Sequence, residues 1–333
     1  MNKYQSGVKW GIIGVGNVCE VKSGPPLYKV EGSQLIQVMR RDLALAKDFA
    51  ERHQIESWTD DAEALINNDE INAIYIATPP DSHLHYTKMA AKGGKAVYVE
   101  KPMARNAAEC EEMIRVCEEA GVPLFVAYYR RYLPMFQHVK NFIDQGFIGK
   151  VHFVDIKVHK SKAPDIVWAA KNEYNWRVVP EISGGGYFID LASHQLDFLD
   201  LILGPVKKAY GLTSNHAGLY QAEDQVLALL EFENGVAGKG SWAFNLDNDT
   251  DEEVTTIYGS EGKLSFSFFS DFHIQLDLEG EESQRIDYQM PEHVQQPLME
   301  AIVADLRGEG TCISTGISAT RTAKVVDAIT SIK

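Results

Sequence analysis

Across its first 125 residues the chain alternates short apolar runs with helical stretches, and that rhythm restricts the fold more than any other feature. Val8 to Ile13 is an apolar run that ends in glycines, and Gln34 to Met39, Asn72 to Ala77, Ala96 to Val99 and Pro123 to Ala127 are further strand candidates. Between them Ala44 to His53, Ala62 to Ile66, Ser82 to Ala91 and Asn106 to Ala120 read as helices, the second capped by Asp60 and Asp61. Strands separated by helices pair in parallel, so this part is predicted to be a doubly wound, mostly parallel α/β sheet. After residue 127 the rhythm changes. A helix over Met135 to Gln145, a strand from Val151 and a helix from Tyr187 to Leu203 precede six closely spaced strand candidates between Val206 and Leu276. Successive strands favour an antiparallel α+β sheet. Two helices, Val294 to Arg307 and Ala319 to Ile332, follow. The expected division is a dinucleotide-type domain over 1–125 and a second domain over 126–333.

The chain's 333 residues suit two domains at roughly 100–200 residues each. Its 47 acidic and 32 basic residues give a net charge of −15, which repels phosphate backbones and argues against nucleic acid as the main partner. No apolar run reaches the ~18 residues that a membrane span requires. The apolar segment after Met1 to Gly7 is too short for a signal core. Cys19, Cys110, Cys117 and Cys312 form no Cys-x-x-Cys pair, which suits a reduced, cytoplasmic protein.

The first strand runs into Gly14-Val15-Gly16-Asn17-Val18-Cys19. Glycines there let backbone N–H groups approach a pyrophosphate, although the third position holds Cys19 where Gly or Ala is usual. The prolines of Lys22-Ser23-Gly24-Pro25-Pro26 break the following helix, leaving a surface turn or a loop whose Lys22 reaches a ligand. The second strand ends in Arg40-Arg41-Asp42. An acidic residue at that strand end accepts from the ribose 2′-hydroxyl of NAD, whereas an arginine offers donors to the 2′-phosphate of NADP. Arg40 and Arg41 therefore favour NADP over NAD; otherwise they are solvated arginines before a helix capped by Asp42.

Two more strand ends carry chemistry. One is Thr78-Pro79-Pro80-Asp81-Ser82-His83 and the other is Glu100-Lys101-Pro102. Both lie at the carboxyl edge of the sheet, where doubly wound folds bind ligands. A lysine there can exchange protons with a substrate hydroxyl, or simply pair with Glu100 at the surface. Farther on, Gly184-Gly185-Gly186 introduces a helix on which Asp190, His194 and Asp197 share one face. A carboxylate one turn before a histidine can orient it for acid–base work. The same spacing also fits a helix-start Asp with a satisfied core histidine, or a metal site if the geometry allows.

Taken in order, the Gly-x-Gly turn, Thr78-Pro79-Pro80 with His83, Glu100-Lys101-Pro102, Tyr128 to Tyr132 with its paired arginines, Trp176-Arg177 and Asp190-x-x-x-His194-x-x-Asp197 resemble the glucose–fructose oxidoreductase, inositol dehydrogenase and rhizopine catabolism (Gfo/Idh/MocA) family over nearly the whole chain. The resemblance implies a Rossmann domain and an α+β domain with a large, open-faced, mostly antiparallel sheet. It implies NAD(P)-linked hydride transfer at a hydroxyl or carbonyl of a sugar, polyol or cyclitol, and no metal ligands are assigned. By motif match, Lys101, Asp190 and His194 would be catalytic. Gly14, Gly16, Asn17, Val18, Arg40, Arg41, Thr78, Pro79, Pro80, His83, Glu100, Lys101, Trp176 and Arg177 would bind cofactor. Tyr128 and Arg177 would join the catalytic trio on the substrate. The resemblance also implies a homodimer or homotetramer built through the second domain's sheet. The same chemistry would serve a reductase of a non-sugar small molecule, and some relatives sense the dinucleotide without catalysis. The loop Asn245 to Glu252 is expected at the pocket rim.

Overall fold

The computed structural model describes residues 3–162, 175–247 and 251–331. The chain divides into two compact units. The first comprises Met1–Tyr129 with Pro291–Thr320, and the second Arg130–Met290 with Arg321–Lys333.

The first unit is built on six parallel strands: β1 (Val8–Ile13), β2 (Ser33–Met39), β3 (Ser57–Thr59), β4 (Ala73–Ile76), β5 (Ala96–Val99) and β6 (Leu124–Val126). Their order is β3-β2-β1-β4-β5-β6. The central strands are apolar on both faces because helices cover both faces. Val8, Trp10, Ile12 and Ile13 of β1 and all of β4 and β5 are buried. Each such aliphatic side chain contributes about 1.5–3 kcal/mol when removed from water. The order reverses between β1 and β4, and the segments leaving these two strands flank that switch point.

The helices follow local chemistry. After β1 come only α1 (Asn17–Val21) and, beyond the turn Lys22 to Pro25, α2 (Pro26–Lys29). Asp42 accepts from Ala44 N and Leu45 N and caps α3 (Leu43–Arg52). Asp61 does the same for α4 (Ala62–Ile66), and α5 (His83–Lys92) follows β4. In α6 (Ala107–Ala120) Asn106 caps the start, Gly121 at φ +65° ends it, and Cys110, Met113 and Cys117 form the buried stripe.

The second unit holds α7 (Pro134–Asp144), the short α8 (Pro180–Ser183), the long α9 (Tyr187–Leu203) and an eight-stranded sheet. Its strands are β7 (Val151–Ser161), β8 (Val206–Ser214), β9 (Gln225–Phe232), β10 (Ala237–Leu246), β11 (Glu252–Gly259), β12 (Gly262–Phe266), β13 (His273–Leu278) and β14 (Gln284–Asp287). They lie in the order β14-β13-β12-β11-β7-β10-β9-β8, antiparallel except for the β10–β7 pair. Alternation decides which face is covered. In β9, Val226, Ala228, Leu230 and Phe232 are buried while Leu227 and Leu229 face out. Fourteen residues of α9 are buried against the unit's core.

The motif rhythm predicts most of this. It does not predict β3 or β14, and it assigns the whole chain beyond residue 126 to one domain. In the structure the run Pro291–Thr320, with α10 (Gln296–Arg307), returns to the first unit. The helix α11 (Gly316–Thr330) is divided between the two units. Helical periodicity shows which stripe of α10 is apolar but not which partner the stripe meets.

Candidate functional site

In the first unit the glycine turn is held at the switch point. Gly14 N and Val15 N both donate to Met39 O, at 2.9 and 3.2 Å. Gly14 has φ +92°, and a Cβ there would stand 2.5 Å from Thr78 Cγ2. Only glycine meets both demands. At Gly16 a Cβ would meet nothing nearer than Gly14 O at 3.9 Å, so its backbone faces open space that a ligand can enter. Asn17 is exposed and Val18 half-buried beside it. Arg40 leaves the end of β2 and its Nη1 donates to Val15 O at 3.1 Å, placing the guanidinium beside the turn. Arg41 is exposed. Lys22 projects its side chain to solvent while its carbonyl accepts from Gln295 N.

The Thr78-Pro79-Pro80 segment is fastened from behind. Ser82 Oγ donates to Pro79 O at 2.9 Å and is hydrogen-bonded to the Thr78 hydroxyl at 2.7 Å. His83 is fully buried, with Nε2 2.7 Å from Thr78 O and Nδ1 3.1 Å from Met103 O. Burial lowers its pKa, so the ring is neutral at ordinary pH and donates through one nitrogen, the shorter contact favouring Nε2. The Nε2–H thus fastens the ring to the 78 segment, while Nδ1 only packs against the Met103 carbonyl.

Glu100 is the most connected residue here. Its Oε1 accepts from Tyr75 OH at 2.6 Å and from Gln295 Nε2 at 2.7 Å, and its Oε2 accepts from Lys101 N at 3.1 Å. The Tyr75 and Tyr98 rings stack at 4.6 Å beneath it. Burial, reinforced by the Glu100 charge, pushes both phenol pKa values well up, so both stay protonated and can donate. Lys101 follows at the end of β5, half-exposed, with a cis bond to Pro102. Tyr128, beyond β6, is 2% exposed.

In the second unit the triple glycine lets α9 begin in tight quarters. A Cβ at Gly186 would stand 2.8 Å from Ala222 Cβ and 3.0 Å from Glu223 O. Asp190 and His194 follow one turn apart, the first half-buried and the second 3% exposed. Asn175 accepts from Arg177 N and donates to Tyr187 OH at 2.8 Å, which anchors the Trp176–Val178 turn to α9. The Arg177 guanidinium lies 4.5 Å from the Trp176 ring centre, and its Nε is 3.5 Å from Asp190 Oδ2. The Trp176-Arg177 motif and Asp190 are therefore one cluster.

The sequence points to Asp197 as a third member of the α9 stripe, but the structure gives it a different task. Asp197 accepts from Arg131 Nε and Nη2 at 2.7 and 2.8 Å inside the core, and Asp200 pairs with Arg321 at 2.7 Å. Burial lifts the Asp197 carboxyl to about 6, with Arg131 pulling it back. Its neighbour Arg130 donates to Phe268 O and lies over the Phe269 ring at 4.7 Å, and Phe269 in turn packs 6.2 Å from the His194 ring. The sequence marks Arg131 only as one of the paired arginines, without a role, and does not mark Phe269 or Gln295 at all. None lies at a spacing that links it to its partner, and only the paired arginines gave a signal.

Of the loop Asn245 to Glu252, residues 248–250 lie outside the described residues. On its flanks Asn245 Nδ2 donates to Asp224 Oδ1 and Asp251 accepts from Ser161 N. Among the described residues no group of three or more His, Cys, Asp or Glu is gathered as for a metal ion.

Comparison with known proteins agrees with this arrangement. Residues 8–128 match the model of an oxidoreductase family with an NAD-binding Rossmann fold, and residues 136–265 match the GFO/IDH/MocA C-terminal domain. A protein named Oxidoreductase P35 from Formosa agariphila is 44% identical over 301 residues, covering 90% of this chain and 91% of that one. A trans-1,2-dihydrobenzene-1,2-diol dehydrogenase from Sus scrofa is 26% identical, covering 77% and 72%. Among solved structures, the WlbA dehydrogenase from Bordetella pertussis, in complex with NADH and UDP-GlcNAcA, superimposes with a TM-score of 0.84 at 23% identity, covering 97% and 94%. A levoglucosan dehydrogenase, in complex with NADH and levoglucosan, gives 0.83 at 20% identity, covering 98% and 96%. At those identities the structural likeness speaks for the fold. With both domain models matched over most of its length, the chain belongs to the Gfo/Idh/MocA family of NAD-binding oxidoreductases.

Proposed function

We propose that the protein is an NADP-preferring dehydrogenase or reductase acting on a hydroxyl or carbonyl of a sugar, polyol or cyclitol. The observation that carries this reading is Lys101, held at the end of β5 by a buried carboxylate on its own turn. The nicotinamide cofactor, when bound, accepts or gives the hydride. The chain supplies alignment and proton transfer. In the oxidative direction His194, with Lys101 Nζ, takes the substrate hydroxyl proton. Asp190, oriented by Arg177, positions the substrate. The open backbone at Gly16 and the Arg40 guanidinium beside Val15 suit a dinucleotide with a 2′-phosphate, since among the described residues one of its five guanidinium N–H donors is used internally. Thr78, Pro79 and Pro80 would line the cofactor, and His83 would act on it through Thr78. The four cysteines are free and buried, in keeping with a reducing cytoplasm, and no helix among the described residues is long and apolar enough to cross a membrane.

A second reading, reduction or oxidation of a non-sugar diol, draws on the 26% identical dihydrodiol dehydrogenase. Thermal unfolding with NAD, NADP and their reduced forms, followed by a panel of sugars, polyols and diols, separates the two. A ligand specific to the folded state raises stability by RT ln(1 + [L]/Kd). The NADP pair should give the larger shift, and Arg40→Asp should reverse the order. Lys101→Ala should cut turnover by more than about tenfold, some 1.4 kcal/mol of barrier. Survival within that margin removes Lys101 from the chemistry.

A further inference from the structure

We infer that Gln295 is a positioning residue for Lys101, acting through the buried Glu100 carboxylate; the inference rests on the proton-transfer role proposed for Lys101. Gln295 is 1% exposed and sits at the start of α10, in the run that returns to the first unit. A carboxylate only accepts, so the Gln295 NH2 group must face Glu100 Oε1, at 2.7 Å. The Gln295 Oε1 then faces Tyr98, whose hydroxyl donates to it at 2.5 Å. Tyr98 thereby fixes the amide, the amide fixes one oxygen of Glu100, and the other oxygen holds the backbone N–H of Lys101.

Among the described residues the donors to Glu100 are the Tyr75 hydroxyl, the Gln295 amide and the Lys101 backbone N–H, all neutral, so its charge rests on those hydrogen bonds. Losing one of two strong donors on Oε1 leaves a buried carboxylate poorly solvated, and its turn then has reason to shift. The same residue reaches the cofactor side. Gln295 N donates to Lys22 O at 3.2 Å, and His293 Nδ1 lies 2.7 Å from Val21 O. Val21 ends the glycine-turn helix α1 and Lys22 directly follows it. One buried side chain and its backbone therefore brace both the segment after the glycine turn and the lysine turn. The other titratable groups that feel the Glu100 charge are Tyr75, Tyr98, Cys19 and His83, all buried.

The test compares Gln295→Leu, Gln295→Glu and Lys101→Ala in the full chain. Steady-state rates are followed against pH, with cofactor Kd from protein fluorescence and thermal unfolding alongside. Gln295→Leu should lower kcat by about tenfold or more while cofactor Kd moves by less than about threefold. Gln295→Glu sets a second carboxylate against Glu100, and two such groups cannot both ionise. Its kcat relative to the parent should therefore recover as pH falls from about 8 to about 6. Should the leucine variant fail to fold, this pH profile decides alone. A lower melting temperature with kcat and its pH profile unchanged overturns the inference and leaves Gln295 as packing. If Lys101→Ala is itself harmless, the proton-transfer reading falls and the inference with it. If Lys101→Ala is inactive and both Gln295 variants behave like the parent, the inference alone falls.

Discussion

Asp197 carries a charge in a place that has no water to solvate it. Both it and Arg131 are about 2% exposed, and the pair is bidentate. Such a pair adds little net stability over a well-packed apolar pair, but halving it is costly. Arg131→Met should destabilise the protein by about 3–5 kcal/mol in urea unfolding near neutral pH. The pH dependence has a definite sign. With its pKa raised to about 6, Asp197 binds its proton more tightly folded than unfolded. The group's contribution to stability is thus full below its ordinary value of 3.8 and fades as pH rises through about 6. Arg131 holds that pKa down, so its removal moves the window upward, and the deficit of the variant should shrink when unfolding is repeated at about pH 5. A deficit that grows on acidification contradicts the assignment. From sequence, Asp197 looked like a companion of His194 because helical spacing reports a shared face. Spacing carries no information about a guanidinium 66 residues earlier in the chain.

Elements whose signals are local were read correctly and those whose signals are distant were not. The α9 helix begins where three glycines end and stops before Gly204, and α6 begins at Asn106 and stops at Gly121. These are punctuation marks written into adjacent residues. By contrast β3 is three half-buried residues and β14 is four residues with Ile286 as its single apolar side chain, so neither is long enough to show the alternation of a half-buried strand. Their pairing comes from neighbours already in the sheet. Of the candidate site, the strand-end motifs and the Asp190–His194 stripe were legible. The Arg177–Asp190 contact, the Phe269 ring beside His194 and the Gln295 brace depend on the tertiary fold. Tight packing at the head of α9 gives an element-scale prediction. A methyl at position 186 must displace Ala222 Cβ at 2.8 Å and the Glu223 carbonyl at 3.0 Å. Gly186→Ala should therefore cost about 1–3 kcal/mol of stability by calorimetry. It should also lower kcat, because Asp190 N bonds to Gly186 O at 3.3 Å in the same turn.

On the scale of the molecule, the second sheet leaves one face with large apolar side chains in water. Tyr210, Leu212, Leu227 and Leu229 are 55%, 65%, 44% and 62% exposed, and strand register sets Tyr210 opposite Leu229 and Leu212 opposite Leu227. Contiguous apolar patches of this kind mark interaction sites. We propose that a second copy of the chain covers it, as a homodimer or homotetramer. Leu229→Glu should then halve the mass or reduce it stepwise in light scattering, while the parent keeps its mass at high salt; an unchanged mass rejects this face as the contact. The sheet's class was readable from strand succession. The partition of the chain was not, because α10 has an ordinary amphipathic stripe that names no partner.

The return of Pro291–Thr320 to the first unit also has a consequence for synthesis. Chains emerge from the ribosome at about 5–20 residues per second, and N-terminal domains usually fold first. Here the first unit still waits for the β-bridge from Thr315 to Phe125, the Ser314 side chain on Val126 and the Gln295 amide on Glu100. Those contacts close only after some 290 residues have been made. The parallel sheet must wait in the cell without its last brace while the second unit forms, and early-binding cofactor or chaperone would matter most in that interval.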